Sequence, residues 1–188
     1  KEFSLEHKKW SDLLEESPNK VIRRICQDCR ATHQYTYWKA INDNWKKIKH
    51  HGISANIKDL FLNTWFNQNN NLNQDFRLYS DYVSTLEDKN RWPYCNYNDP
   101  GIGFPRDCGP NGYVPYQWNS KGDKTRGYPW NTYGATRIQY SVEAKDSTKE
   151  NPKWIVLFED PYFVPVDTKT GKEGCTFSDF GDDLTVPR

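Results

Sequence analysis

The spacing of apolar positions changes several times along this chain, and each change marks a predicted element. Near the N-terminus Leu13 and Leu14 fall in a turn that Ser11 can cap. Ser17-Pro18 then reads as a second helix start, because a proline at the first helical position has no N–H to leave unsatisfied. Val21, Ile22, Ile25, Cys26 and Cys29 follow at helical spacing on one face, so residues 1–30 are predicted as a helical N-terminal segment. From Thr32 the period drops to two, and Thr-His-Gln-Tyr-Thr-Tyr-Trp-Lys-Ala-Ile predicts a strand with His33, Tyr35 and Tyr37 on one side. Ile53 to Ile57 and Leu60 to Phe66 are further strand candidates, followed by an Asn/Gln-rich loop at 67–74 and an alternating run from Asp75 to Val83. Thr136 to Ala144 alternates Ile138, Tyr140, Val142 and Ala144 with polar residues. Trp154 to Phe158 is apolar without a break, which predicts a central strand buried on both faces. Pro161 and Pro165 end regular pairing beyond it.

Together these elements predict a single, mostly β domain: an antiparallel, jelly-roll-like β-sandwich over 31–166, a helical segment at 1–30 and a polar tail at 167–188. Within the sandwich, residues 90–134 are dense in Gly, Pro, Asn and Asp with aromatics interleaved. An ordered loop region of that length is expected to be functional, covalently pinned, or both.

Composition changes what the core must be made of. Ile, Leu, Val and Phe together supply under a fifth of the 188 residues, a level that by itself points to disorder. The net charge of only +1, with 8 Trp and 12 Tyr, removes the other half of that signature and predicts a largely aromatic core. The neutral balance argues against a nucleic-acid or anionic-membrane partner, leaving Lys46, Lys47 and Lys49 with His50 and His51 as a solvated local patch. No apolar run approaches the length of a membrane-spanning helix. The absence of methionine is expected of a processed product or excised segment, while no Asn-x-Ser/Thr acceptor supports secretion.

The five cysteines carry the next inference. Cys95 and Cys108 bracket a Gly- and Pro-rich stretch that can turn back on itself, so a disulfide between them is expected. Cys26-Gln-Asp-Cys29 with His33 offers three of the four ligands of a structural zinc site, but no fourth is apparent. The preferred reading is oxidised cysteines, with Cys175 joined to Cys26 or Cys29 and one thiol left unpaired or bonded to another chain. Asp179, Asp182 and Asp183 form a candidate calcium site without EF-hand spacing.

For ligand contact, the sequence favours Tyr113, Tyr116, Trp118, Asn119, Arg126, Tyr128, Trp130 and Tyr133, together with Arg106 and Asp107 from the bracketed loop. Flat rings contact the C–H face of a sugar, while amides, carboxylates and guanidinium groups direct hydrogen bonds to its hydroxyls. No hydrolase, zincin, Walker or dinucleotide fingerprint occurs, and no two acidic residues stand out as a facing pair.

The run Trp92-Pro-Tyr-Cys-Asn-Tyr-Asn-Asp-Pro-Gly-Ile-Gly-Phe-Pro-Arg-Asp-Cys-Gly-Pro, with Gln117-Trp118-Asn119-Ser120 and Cys26-x-x-Cys29-x-x-x-His33, resembles a cysteine- and aromatic-rich module of large secreted or cell-surface proteins of aquatic microbes. The resemblance covers 26–120. It implies an extracellular location and a binding or structural role, and it transfers no catalytic residue. The function expected is therefore a non-catalytic module that binds glycan or extracellular matrix in adhesion. The alternatives are a self-associating subunit of a filament or sheath, and a polysaccharide hydrolase.

Overall fold

The structure, a computed structural model, describes residues 2–50, 53–97, 101–115, 117, 137–160 and 163–164. Helix α1 (Glu2–Glu16) leads into strand β1 (Val21–Cys26), which turns through a short 3-10 segment, Ala31–His33, into β2 (Tyr35–Ala40). A two-stranded ribbon of β3 (Lys49–His50) and β4 (Ile53–Ser54) precedes helix α2 (Ile57–Leu62). Strand β5 (Phe76–Tyr79), helix α3 (Tyr82–Glu87), β6 (Ile138–Glu143) and β7 (Trp154–Glu159) complete the fold.

Five strands form one open sheet in the order β5-β2-β1-β6-β7, with every neighbouring pair antiparallel. The protein is thus mostly β and antiparallel, as the alternating runs predict. Among the described residues the expected sandwich is not seen: helices, loops and aromatic side chains cover the five-stranded sheet where a second large sheet was anticipated.

The core is aromatic. Trp38, Phe76 and Tyr140 project from one sheet face onto Trp10 of α1, Phe61 of α2, and Trp65, Trp92 and Phe104 from the connections, all almost fully buried. Most of their rings meet at tilted or edge-on angles, including Phe61 against Tyr140 at 5.5 Å and 90° and Trp38 against Phe61 at 5.7 Å and 80°, while Trp38 and Phe76 are stacked. Offset and edge-to-face contacts suit the ring quadrupole and add roughly 0.5–1.5 kcal/mol per pair beyond area burial.

Three predicted elements differ, for identifiable reasons. Val21 to Cys26 is the central strand, not a helix, and all six of its residues are buried. Apolar residues at i, i+1, i+4 and i+5 fit one face of a helix, but they also fit a strand covered on both sides, where Ile22 and Cys26 face the main core while Val21 packs on the opposite face. Leu60 belongs to α2, started by Asn56, whose side chain accepts the Asp59 N–H at 2.9 Å, so Leu60 to Phe66 is a helix end and turn. Trp154 to Glu159 is an edge strand, with Ile155 and Val156 37% and 45% exposed, rather than a central strand buried on both faces.

Candidate functional site

Among the described residues the chemistry gathers at three places: the disulfide-pinned loop after β5, the aromatic outer face of the sheet, and a buried cluster linking the two disulfides.

The loop is held by a disulfide from Cys95 to Cys108, the bridge the sequence predicts. A bridged pair thirteen residues apart removes about 3 kcal/mol of denatured-state entropy in the chain-entropy model. The loop is further stitched to α2. Phe104 N–H donates to the Phe61 carbonyl at 3.0 Å, and Trp65 N–H donates to the Ile102 carbonyl at 2.6 Å. Gly103 permits this approach, since a Cβ there would lie 2.3 Å from the Phe61 carbonyl oxygen. The Phe104 ring inserts between Phe61 and Trp65, with centroids at 4.8 and 4.9 Å.

These anchors decide which loop residues can meet a ligand. Phe104 and Asp107 are buried, and the Asp107 carboxylate accepts from Arg106 Nη1 at 2.5 Å and Asn96 Nδ2 at 3.2 Å. Arg106 and Asp107, both expected at the contact surface, are therefore turned toward each other. Tyr97 lies under the loop, its ring beside Trp65 and its phenol oxygen accepting the Leu72 N–H at 2.8 Å; burial pushes that phenol up. Tyr113 does reach solvent, 59% exposed, and it meets Tyr94, 37% exposed, edge to face at 6.4 Å. These two neighbours are the exposed large aromatics among the described residues. Tyr94 sits directly beside the bridge, paired across it with Gly109. The sequence reading selected Tyr113 and missed Tyr94; adjacency to Cys95 was the available signal. Tyr116, Trp118, Asn119, Arg126, Tyr128, Trp130 and Tyr133 lie outside the described residues, as do Cys175, Asp179, Asp182 and Asp183.

On the outer sheet face, Tyr37, Tyr82 and Trp154 form a mutual triad with centroids 5.4–6.0 Å apart. The Arg23 guanidinium lies 4.3 Å from the Trp154 ring centroid, and Arg23 Nε donates to Ser141 Oγ at 3.1 Å. Such a cation over indole is favoured by the ring quadrupole. Tyr82 O–H donates to the Glu143 carboxylate, which also accepts from Ser17 Oγ, Asn19 N–H and Asn19 Nδ2. Burial, then the bond to Glu143, push the Tyr82 phenol up to about 12; burial alone leads for Tyr37, also at about 12.

In the third cluster Cys26 is joined to Cys29, not to Cys175, so neither thiol is left to serve as a zinc ligand. The hairpin ends here because Cys29 N–H returns to the Cys26 carbonyl, and it is clamped by the Asp28 carboxylate against Arg137 Nη2 at 2.8 Å. The small ring closed by two residues three apart contributes about 2 kcal/mol on the same scale, less than the longer loop. Arg24 is fully buried beside this bridge. Its Nη1 lies 3.6 Å from Cys29 Sγ and its Nη2 donates to the Gln117 carbonyl at 2.6 Å. His33 Nε2 donates to the Cys108 carbonyl at 2.8 Å, so the 26–29 hairpin is tied to the 95–108 loop. Its ring packs on Trp92 at 4.8 Å. Among the described residues no group of three or more His, Cys, Asp or Glu side chains could hold a metal ion.

These features define an open-faced antiparallel sheet with a disulfide-pinned aromatic loop. No family model, curated protein or solved structure matches the chain. Two disulfides fit an extracellular protein, and among the described residues no helix is long and apolar enough to cross a membrane.

Proposed function

We propose that this protein is an extracellular, non-catalytic module that binds carbohydrate at a cell surface or matrix, with the loop carrying Tyr94 and Tyr113 as part of its contact surface. The observation that carries the reading is the placement of these two rings. Among the described residues most large aromatics are buried, and two neighbouring tyrosines are left in water on a segment fixed by a disulfide and by Phe104. A rigid loop loses little entropy on binding, and a pair of rings offers apolar faces to a sugar with hydroxyls available for hydrogen bonds. The test is a glycan array followed by titration calorimetry on any hit. Tyr94→Ala and Tyr113→Ala together are expected to weaken binding at least tenfold without changing the melting temperature appreciably. Unchanged binding in that double variant, and in Trp118→Ala with Trp130→Ala, removes the proposed surface.

The alternative, a self-associating structural subunit, draws on the side of β7 that pairs with no described strand. The edge run Lys153-Trp-Ile-Val-Leu-Phe-Glu159 is self-complementary when read antiparallel about Val156, setting Lys153 of one copy near Glu159 of the next at both ends. Exposed Ile155 and Val156 lie between. The irregularity opposite Tyr140 and Ser141 adds twist and keeps the pairable edge short. Sedimentation at high concentration is expected to show dimer for the wild type, monomer for Lys153→Glu, and dimer again for Lys153→Glu with Glu159→Lys. A monomeric wild type sinks this alternative.

A further inference from the structure

We propose that Cys26–Cys29 is a thiol–disulfide exchange site, distinct in role from the structural Cys95–Cys108 bridge, and that Arg24 stabilises the thiolate of Cys29 released when it is reduced. This goes beyond glycan binding and does not depend on it.

The geometry behind it begins with a cation in an unusual place. Arg24 is fully buried within the central strand, and among the described residues no carboxylate forms an ion pair with it. Its partners are the Gln117 carbonyl, the Tyr140 phenol and Cys29 Sγ, while Nε–H has no hydrogen-bond partner. A buried guanidinium carries a large desolvation cost that neutral acceptors offset only in part. The other charged groups around the bridge do not supply the missing anion. Asp28 is committed to Arg137, Arg30 adds a second positive charge, and His33 is kept neutral by burial and by Arg24 and Arg30. The charge in contact with Cys29 Sγ is therefore the Arg24 guanidinium.

A guanidinium in contact with the sulfur favours a thiolate over a thiol, against the burial that opposes it, and so favours the reduced form of the pair. The bridge is also the one whose opening frees less chain, since only two residues separate its cysteines. Cys29 is slightly exposed and Cys26 fully buried, which selects Cys29 Sγ for attack.

The exchange balances with an external dithiol as electron donor. One donor thiolate attacks Cys29 Sγ, the Cys26–Cys29 bond breaks, and Cys26 leaves as a thiolate that takes up a proton. The second donor sulfur, deprotonated, attacks its partner in the mixed disulfide and releases Cys29 as the thiolate beside Arg24. The donor ends as a disulfide. Two electrons reach the cysteine pair, and of the donor's two protons one stays on Cys26 and the other enters solvent.

The experiment uses the intact oxidised chain and carries its own internal reference. The protein is equilibrated in graded dithiothreitol redox buffers, acid-quenched and alkylated, and peptide masses then assign the free thiols, with Cys175 mapped separately. Cys26 and Cys29 are expected to become reduced at a reduced-to-oxidised ratio at least tenfold lower than Cys95 and Cys108, ~30 mV for this two-electron couple. Simultaneous reduction, or earlier opening of Cys95–Cys108, overturns the proposal. In the selectively reduced protein the alkylation rate of Cys29 should have a pH midpoint at least one unit below the free-thiol value of about 8.5. Arg24→Lys should keep that low midpoint and Arg24→Gln should lose it. A wild-type midpoint at or above the free value overturns the role of Arg24 even if neither variant folds.

Discussion

His33 makes acid a specific perturbation of this fold. The ring is fully buried, and a carbonyl oxygen can only accept, so the Cys108 carbonyl fixes the proton on Nε2 while Nδ1 faces Thr32 Oγ1 at 2.9 Å. Burial is the leading cause that pulls His33 down to about 4; the Cys108 bond opposes it, and Arg24 and Arg30 reinforce it. With a folded value below the unfolded value of about 6.5, the unfolded chain binds more protons between the two, so stability rises with pH across that window. The contribution is intact above about pH 6.5 and is lost as the pH falls toward 4. Integrating one site between those values gives about 2 kcal/mol lost from about pH 7.5 to about pH 5. For a chain of this size that is a fall in melting temperature of roughly 4–8 °C. The assay is urea unfolding at both pH values for the wild type and for His33→Asn, which removes the titrating group and controls for every other histidine and carboxylate. The variant should be less stable at neutral pH yet lose about 2 kcal/mol less on acidification. Equal losses in the two proteins would refute the assignment of a neutral, buried imidazole.

Three further substitutions follow from single contacts. Gly103→Ala drives a methyl group against the Phe61 backbone and should destabilise by roughly 1–3 kcal/mol in urea unfolding, with no effect expected if the loop were loosely held. Tyr82→Phe removes one donor from the buried Glu143 carboxylate, which keeps Ser17 and Asn19, and should cost roughly 1–2 kcal/mol by the same measurement. Asp75 accepts from Asn42, Asn44 and both nitrogens of Asn71, so Asp75→Asn turns an acceptor into a donor facing donors and should cost about 2 kcal/mol. Burial works against ionisation of Asp75, but those hydrogen bonds prevail and hold its carboxyl below the usual range. Its stabilisation is therefore present above the unfolded value near 4 and lost as the pH falls through the folded one, a loss that Asp75→Asn should not show.

Period-two alternation was enough to locate β2, β5 and β6, because each has a core face of Trp38, Phe76 with Leu78, or Tyr140 with Val142. It failed where both faces of a strand are covered. In β1 the pattern Val-Ile-Arg-Arg-Ile-Cys has no polar side, since Arg23 lies over Trp154 and Arg24 is buried at the second disulfide. Nothing local distinguishes that strand from a helix. The opposite error at β7 has the same root: an unbroken apolar run implies two covered faces, yet its place at the end of the sheet order leaves Ile155 and Val156 exposed. The Cys95–Cys108 bridge was legible because its turn residues lie between the cysteines. The Cys26–Cys29 bridge was obscured by treating its segment as helical, where the pair reads as part of an apolar stripe.

The exposed pair of tyrosines gains its meaning from the scarcity around it. With Ile, Leu, Val and Phe so few, the fold relies on Trp10, Trp38, Trp65, Trp92 and Tyr140 for its apolar area. Full burial of one large apolar side chain is worth roughly 1.5–3 kcal/mol. Tyr94 adjoins a loop that already buries Phe104 and Cys108 completely, yet its own ring is left in water beside that core. Keeping both rings in water therefore forgoes stabilisation that this composition can ill spare, and the disulfide next to Tyr94 holds them there. A surface shaped only by folding would use those rings inside; a surface shaped for an external partner is the reading under which their exposure has a cause.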